Sequence, residues 1–279
     1  MAMDRYVVAG NPVEHSQSPF IHAEFARQTG QVMAYGRLLW PLEGFERSLR
    51  ALVDSGAKGC NITVPFKFEA ARIATRLGAR AALAQAANVL SFDAEGWRGD
   101  NTDGVGLVRD IEHNAGVALR DQRVLLIGAG GAAAGVLGPV LQARPAEVVV
   151  ANRTQEKARA LVDRHQSVAA AARLRASTLA DCGEGFDVVV NATASSLNGG
   201  AIPVADRVLR PGALALDMMY GPAAQGFLDW ATRRGATGRD GLGMLVEQAG
   251  AAFELWRGVR PDTQPVLAAL RERMAQAQR

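Results

Sequence analysis

The sequence predicts an α/β protein with two strand-bearing domains and a helical C-terminal segment. Three observations lead there. Short β-branched runs alternate with longer helical stretches along most of the chain. One apolar strand runs straight into the small-residue turn Gly128-Ala129-Gly130-Gly131-Ala132-Ala133. Two helical segments then close the chain with no strand after them.

In the first series, strands are predicted at 6–9, 34–40, 59–64 and 88–92, with helices at 19–28, 45–53 and 69–77. That alternation implies a mostly parallel sheet. A second series has strands at 124–127, 148–150, 173–176, 187–190 and 213–216, which is the pattern of a doubly wound dinucleotide-binding domain. A helix over 103–113 bridges the two series, and the closing helices cover 242–256 and 263–277. The expected domains are 1–103, 104–238 and 239–279.

Composition narrows the class of protein. The 279 residues are 48% apolar, enough for sizeable cores. Two cysteines, Cys60 and Cys182, make no disulfide framework, and no secretory leader follows Met1, so a cytoplasmic location is expected. No apolar run approaches the ~20 residues of a membrane span. The net charge of +3 is spread along the chain, which argues against nucleic acid as a partner. No metal-ligand spacing is present.

At the glycine turn, Gly128 allows the tight bend and Gly130 lets a pyrophosphate approach the backbone. Ala133, where a third glycine is common, keeps the helix close to its strand. Gly131 and Ala132 open that helix, whose free N–H groups and positive end suit phosphate. The next strand ends at Ala151-Asn152-Arg153-Thr154. An NAD-selective site places a carboxylate there; a guanidinium instead pairs with a 2′-phosphate, so NADP is the expected cofactor.

Polar clusters follow the strands of the first domain. Ser16 and Ser18 stand near a helix start, where one serine would suffice as a cap and two could hold a carboxylate. Asn61 and Thr63 alternate onto one face, while Cys60 points to the opposite, core-packed one. Lys67 begins a helix against the dipole preference. Asn88 starts a strand, and Asp100-Asn101-Thr102-Asp103 offers four polar side chains where one cap, Thr102 or Asp103, would do. His15 and His22 lack a nearby carboxylate in the sequence and are read as structural.

These pieces together resemble the shikimate dehydrogenase family. The matching runs are 10–19 with Ile21-His22, 61–67, Ala87-Asn88, 99–104, 128–132, 152–154, 191–193, 217–220 and 240–248, nearly end to end. The resemblance implies a Rossmann NADP-binding domain after an N-terminal substrate domain, with the C-terminal helices returning to the latter. It implies reversible reduction of 3-dehydroshikimate to shikimate by NADPH. Lys67 and Asp103 would be the catalytic pair. Ser16 and Ser18 would hold the substrate carboxylate, and Thr63, Asn88, Asp103 and Gln248 its ring hydroxyls. Asn61 and Tyr220 would complete the site, with Met218 and Gly241 near the nicotinamide.

The chain departs from the family pattern at two places. Ser196 in the run Ala194-Ser195-Ser196 stands where glycine is expected, and Val89 follows Asn88 where threonine is common. Two other readings are a dehydrogenase that also accepts quinate and a non-catalytic regulator on the same scaffold. The presence of Lys67 and Asp103 weighs against the second. From Asn152 and Arg153, kcat/KM with NADP is expected to exceed that with NAD; steady-state assays showing equal or better use of NAD would refute this.

Overall fold

The computed structural model describes residues 3–193 and 202–276. Compactness divides them into two units, one of 1–106 with 245–279 and one of 107–244.

The first unit is built on a six-stranded sheet of β1 (Asp4–Gly10), β2 (Met33–Leu39), β3 (Gly59–Ile62), β4 (Arg76–Leu77), β5 (Val89–Asp93) and β6 (Gly96–Asp100). Its order is β2-β1-β3-β5-β6-β4. The sheet is mostly parallel, as expected, with β5 running antiparallel to both its neighbours. β1 pairs in parallel with β2 and β3, but β3–β5 and β5–β6 are antiparallel. The departure comes from a tight hairpin at Ala94-Glu95, with Gly96 at φ +115°. That glycine tolerates a backbone that other residues resist. The helix expected over 69–77 is α3 (Lys67–Ile73) and stops where Ala74 turns extended, so β4 occupies its predicted end and the short α4 (Ala79–Ala84) follows.

Two faces of this sheet are covered differently. On one, α2 (Phe45–Asp54) contributes Phe45, Leu49 and Leu52, spaced for one helical stripe, to a core with Val7, Ala9, Cys60 and Ile62. Cys60 therefore lies on the apolar face, as its alternation with Asn61 predicts, and burial pushes its thiol pKa upward. On the other face, α1 (Ser18–Thr29) brings His22 and Phe25 against Tyr35, Phe253 and Trp256.

α5 (Asp103–Arg109) widens into a π-helical turn at Asp110–Asn114 and leads into the second unit. Its strands are β7 (Arg123–Ile127), β8 (Glu147–Ala151), β9 (Arg173–Ser177), β10 (Phe186–Asn191), β11 (Leu209–Asp217) and β12 (Thr237–Arg239). They form a fully parallel sheet in the order β12-β11-β10-β7-β8-β9, the doubly wound arrangement. The sequence reading missed β12, whose three residues are too short to show periodicity. α6 (Gly131–Gln142) follows the glycine turn, α7 (Gln155–His165) follows β8, and α8 (Gln225–Arg233) precedes β12. α9 (Leu242–Arg257) and α10 (Gln264–Gln276) close the chain. Phe253 and Trp256 of α9 complete the aromatic core of the first unit.

His22 is fully buried, and neither ring nitrogen has a hydrogen-bond partner. Burial lowers its pKa from 6.5 to about 3, although Asn61 beside the ring pulls it upward. The ring is therefore neutral in the fold. Below pH 6.5 the unfolded chain binds a proton that the folded chain refuses, so stability is lost as pH falls from 6.5 toward 3. This residue's share of the loss between pH 7 and pH 5 is about 2 kcal/mol. Urea unfolding of His22→Phe should show a correspondingly smaller loss than the unsubstituted protein; equal losses would refute the assignment.

Candidate active site

Lys67 and Asp103 meet in the first unit. Lys67 is the first residue of α3, with four residues between it and the end of β3. Asp103 is the first residue of α5, immediately after β6. Lys67 Nζ lies 2.5 Å from Asp103 Oδ2, with side-chain exposures of 14% and 6%. An ion pair this far from water keeps its charges only if their other valences are satisfied.

Asn88 satisfies the carboxylate. Its Nδ2 donates to Asp103 Oδ1 at 2.8 Å and also faces Thr102 Oγ1 at 3.0 Å and Gln248 Oε1 at 3.1 Å. Two hydrogens cannot serve three acceptors fully, so the amide is shared. At its other end, Asn88 Oδ1 accepts the Thr102 backbone N–H at 2.8 Å. Asn88 sits just before β5 rather than on a strand. The helix start is capped by neither expected residue: Asn101 Oδ1 accepts the Asp103 N–H at 3.1 Å, which leaves Thr102 for Asn88 and Gln248.

Other expected residues join the same unit. Asn61 Nδ2 donates to the Asn88 carbonyl at 3.2 Å. Thr63 lies just beyond β3, close against Gly10: a Cβ on that glycine would fall 2.2 Å from Thr63 Cγ2. Ser16 and Ser18 hydroxyls are 3.2 Å apart, and Ser16 Oγ accepts the Ser18 N–H. Neither serine stands at the N-cap position of α1, which is Gln17; Ser16 Oγ meets the first N–H of the helix, and the Ser18 hydroxyl is not needed for that. Sequence reasoning missed two residues of β2. Arg37 donates twice to the Ser16 carbonyl, at 2.9 and 2.6 Å, and the Tyr35 hydroxyl donates to Asn61 Oδ1 at 2.5 Å. Their signal was their separation by two, which puts both on one face of a strand.

In the second unit, Gly128 ends β7 with φ +114°, and a Cβ there would lie 3.2 Å from the Ala192 backbone. Gly130 has nothing within 4 Å of its Cβ position, so packing does not demand glycine and the space is open for a ligand. The first helical bond of α6 runs from Ala134 N to Gly130 O at 2.9 Å, with no side-chain cap. The N–H groups of Gly131, Ala132 and Ala133 are left for another acceptor. Ala129 is partly buried beside them. Beyond β8, Asn152 Nδ2 donates to the Thr154 carbonyl at 2.9 Å and Thr154 stands at the N-cap of α7 without a side-chain cap bond. The exposed Arg153 guanidinium has no hydrogen bond or ion pair among the described residues. These residues fit a phosphorylated dinucleotide.

Met218 and Tyr220 follow β11 and are partly buried. Asn191 Nδ2 donates to Asp217 Oδ2 at 3.0 Å, and the Met218 N–H reaches the Asn191 carbonyl, which ties this loop to β10. Gly241 packs so closely that a Cβ would lie 2.4 Å from the Met218 carbonyl. The departure at Ala194, Ser195 and Ser196 lies outside the described residues. Val89, the other departure, is buried in β5, paired with Asn61 and Asp100.

Known proteins resemble this chain in sequence and fold. The family model described as the shikimate dehydrogenase substrate binding domain matches residues 8–90. The models for shikimate / quinate 5-dehydrogenase and the shikimate 5'-dehydrogenase C-terminal domain match 110–199 and 241–271. A shikimate dehydrogenase (NADP(+)) of Methylibium petroleiphilum is 63% identical, over 97% of this chain and 95% of its own. An Ael1 enzyme of Pseudomonas putida superposes with a TM-score of 0.87 at 47% identity, over 96% of this chain and 98% of its own. The shikimate 5-dehydrogenase of Thermus thermophilus in complex with NADP(H) and shikimate superposes with a TM-score of 0.84 at 29% identity, over 97% and 99%.

Asn88→Ala would leave the buried Thr102 N–H without its acceptor and Asp103 Oδ1 without its Asn88 donor. Urea unfolding should register a loss of about 1–3 kcal/mol. Asn152→Ala, which removes only a surface contact, should stay within about 0.5 kcal/mol. Similar losses from both would contradict the role given to the Asn88 amide.

Proposed function

The chain belongs to the shikimate dehydrogenase family, and from that premise we propose how its residues divide the work. It is an NADP-dependent oxidoreductase acting on a CH–OH group, and it catalyses the reversible reduction of 3-dehydroshikimate to shikimate in aromatic amino-acid (chorismate) biosynthesis. NADPH, when bound, supplies the hydride.

The observation that carries our assignment is the buried ion pair of Lys67 and Asp103. In the reducing direction the ketone oxygen gains negative charge as its carbon becomes tetrahedral. The Lys67 ammonium stabilises that charge and gives the oxygen its proton; in the oxidising direction Lys67 takes the proton back. Asp103 holds the ammonium in place through Oδ2, while Asn88 holds Asp103 through Oδ1. We assign Ser16 and Ser18 to the substrate carboxylate, since hydroxyls donate well to an anion. Asn61, Thr63, Asn88, Tyr220 and Gln248 are assigned to the remaining oxygens.

For NADP we assign Gly128, Ala129, Gly130, Gly131 and Ala132 to the phosphates, and Asn152, Arg153 and Thr154 to the adenosine ribose and its 2′-phosphate. Met218 and Gly241 are placed near the nicotinamide; Gly241 would act there through its backbone. The paired Lys67 and Asp103 favour an enzyme over a ligand-binding regulator. We place the protein in the cytoplasm, where its two free, buried cysteines stay reduced.

Lys67→Ala should lower kcat by about 100-fold or more, the usual worth of a positioned acid–base group. The substituted protein should keep its NADP affinity and its circular dichroism. A kcat within a few-fold of the starting value would show that Lys67 does not carry the proton.

A further inference from the structure

Tyr35 stands on β2, the edge strand, yet its hydroxyl reaches Asn61 on β3, two strands away. The register explains the reach. Arg37 pairs with Val8, and Val8 with Asn61, so these three lie in one row across the sheet. Tyr35 is two residues earlier on the same face, and its side chain crosses over β1 diagonally.

The hydrogen-bond logic at Asn61 leaves one solution. The Asn88 carbonyl can only accept, so the Asn61 side-chain nitrogen must face it, as it does at 3.2 Å. The amide oxygen then faces Tyr35, so the phenol is the donor, at 2.5 Å. Burial raises the phenol pKa well above 10, with the Ser18 hydroxyl opposing that shift, so the proton stays on Tyr35. One hydrogen of the Asn61 amide is spent on Asn88; the other meets no oxygen acceptor among the described residues, and the amide lies beside the His22 ring. The ring carrying the phenol is itself held. It stacks on the neutral His22 at 4.2 Å between centroids with planes 8° apart, and leans on Trp256 at 6.3 Å.

We propose that Tyr35 is a positioning residue for the substrate: by donating to Asn61 Oδ1 it locks the Asn61 amide so that its remaining N–H is presented to a substrate hydroxyl. The proposal rests on the assignment of Asn61 to substrate. Tyr35 acts chiefly through Asn61, with the Ser18 hydroxyl also beside its phenol, and touches neither the reacting carbon nor the cofactor. Its loss should therefore weaken shikimate binding and leave the chemical step nearly intact.

The test is a double-mutant cycle on the full chain with Tyr35→Phe, Asn61→Ala and both together, assayed with shikimate and NADP. Phenylalanine keeps the stack on His22 and removes only the hydroxyl. Tyr35→Phe should raise KM for shikimate roughly three- to tenfold, the worth of one neutral hydrogen bond. Its kcat and its KM for NADP should stay within about twofold by the same argument. In the Asn61→Ala background the same change should have a clearly smaller effect, limited to what the phenol does for Ser18. An unchanged KM for shikimate in Tyr35→Phe overturns the proposal. So does an equal rise in both backgrounds, which is what a packing role would give. Where a variant turns over too slowly, the Kd for shikimate from calorimetry provides the same comparison. Turnover of shikimate by the unsubstituted protein, measured alongside, tests the functional reading separately.

Discussion

A lysine and an aspartate held away from water at 2.5 Å impose a requirement that shapes the first unit. Removing two charges from water costs several kcal/mol per ion, and their attraction repays this only when the remaining lone pairs also find donors. Asp103 meets that requirement with Lys67 on one oxygen and Asn88 on the other. Asn88 must then be held, which Thr102 does from the adjacent chain and Asn61 from β3. Asn61 in turn is held by Tyr35. One ion pair thus accounts for a polar network that runs across the sheet to its edge strand.

The network needs its members at strand ends, where backbone groups are not all spent on the ladder. Lys67 and Asp103 each open a helix just after leaving the sheet, and Asn88 precedes β5 by one residue. The opposite face of the same strands carries Cys60 and Ile62 into an apolar core. β3 therefore bears a polar row and a greasy row at once, and a slip of one residue would exchange them. The mixed sheet serves this arrangement. The β5–β6 hairpin brings Asn88 beside Asp100 and the residues that follow, a proximity that distance in sequence does not suggest.

Much of this was legible in the residues. The Rossmann half announced itself because apolar runs, a glycine turn and a small-residue helix coincide, each for its own physical reason. Lys67 and Asp103 were legible as a pair only through family resemblance; spacing alone leaves lysine on the surface. The hairpin was missed because Asp100 reads with the polar run before a helix, although it ends β6 and the turn lies at Ala94-Glu95. β4 was read as helix because Ala70, Ala71 and Leu77 continue a plausible stripe past the real stop at Ala74. Tyr35 and Arg37 were passed over because a tyrosine and an arginine on a strand look like ordinary surface. Their partners, Asn61 and the Ser16 carbonyl, come from other parts of the chain.

The glycine turn shows how one motif joins separate demands. Gly128 is required by the protein itself, because its φ of +114° and its approach to Ala192 leave little place for a side chain. Gly130 is under no such pressure; a Cβ there would point into open space. A position that the fold does not constrain, next to helix N–H groups without a cap, makes sense as room kept for phosphate oxygens. Arg153 differs from several half-buried arginines of this unit. Arg123 and Arg175 are committed to Glu147, and Arg239 to the buried Asp110. Arg153 has no such protein partner among the described residues, and its charge sits where the doubly wound fold meets the adenosine ribose. Its position after β8, together with that lack of a protein partner, is what supports the proposed assignment of Arg153 to the 2′-phosphate.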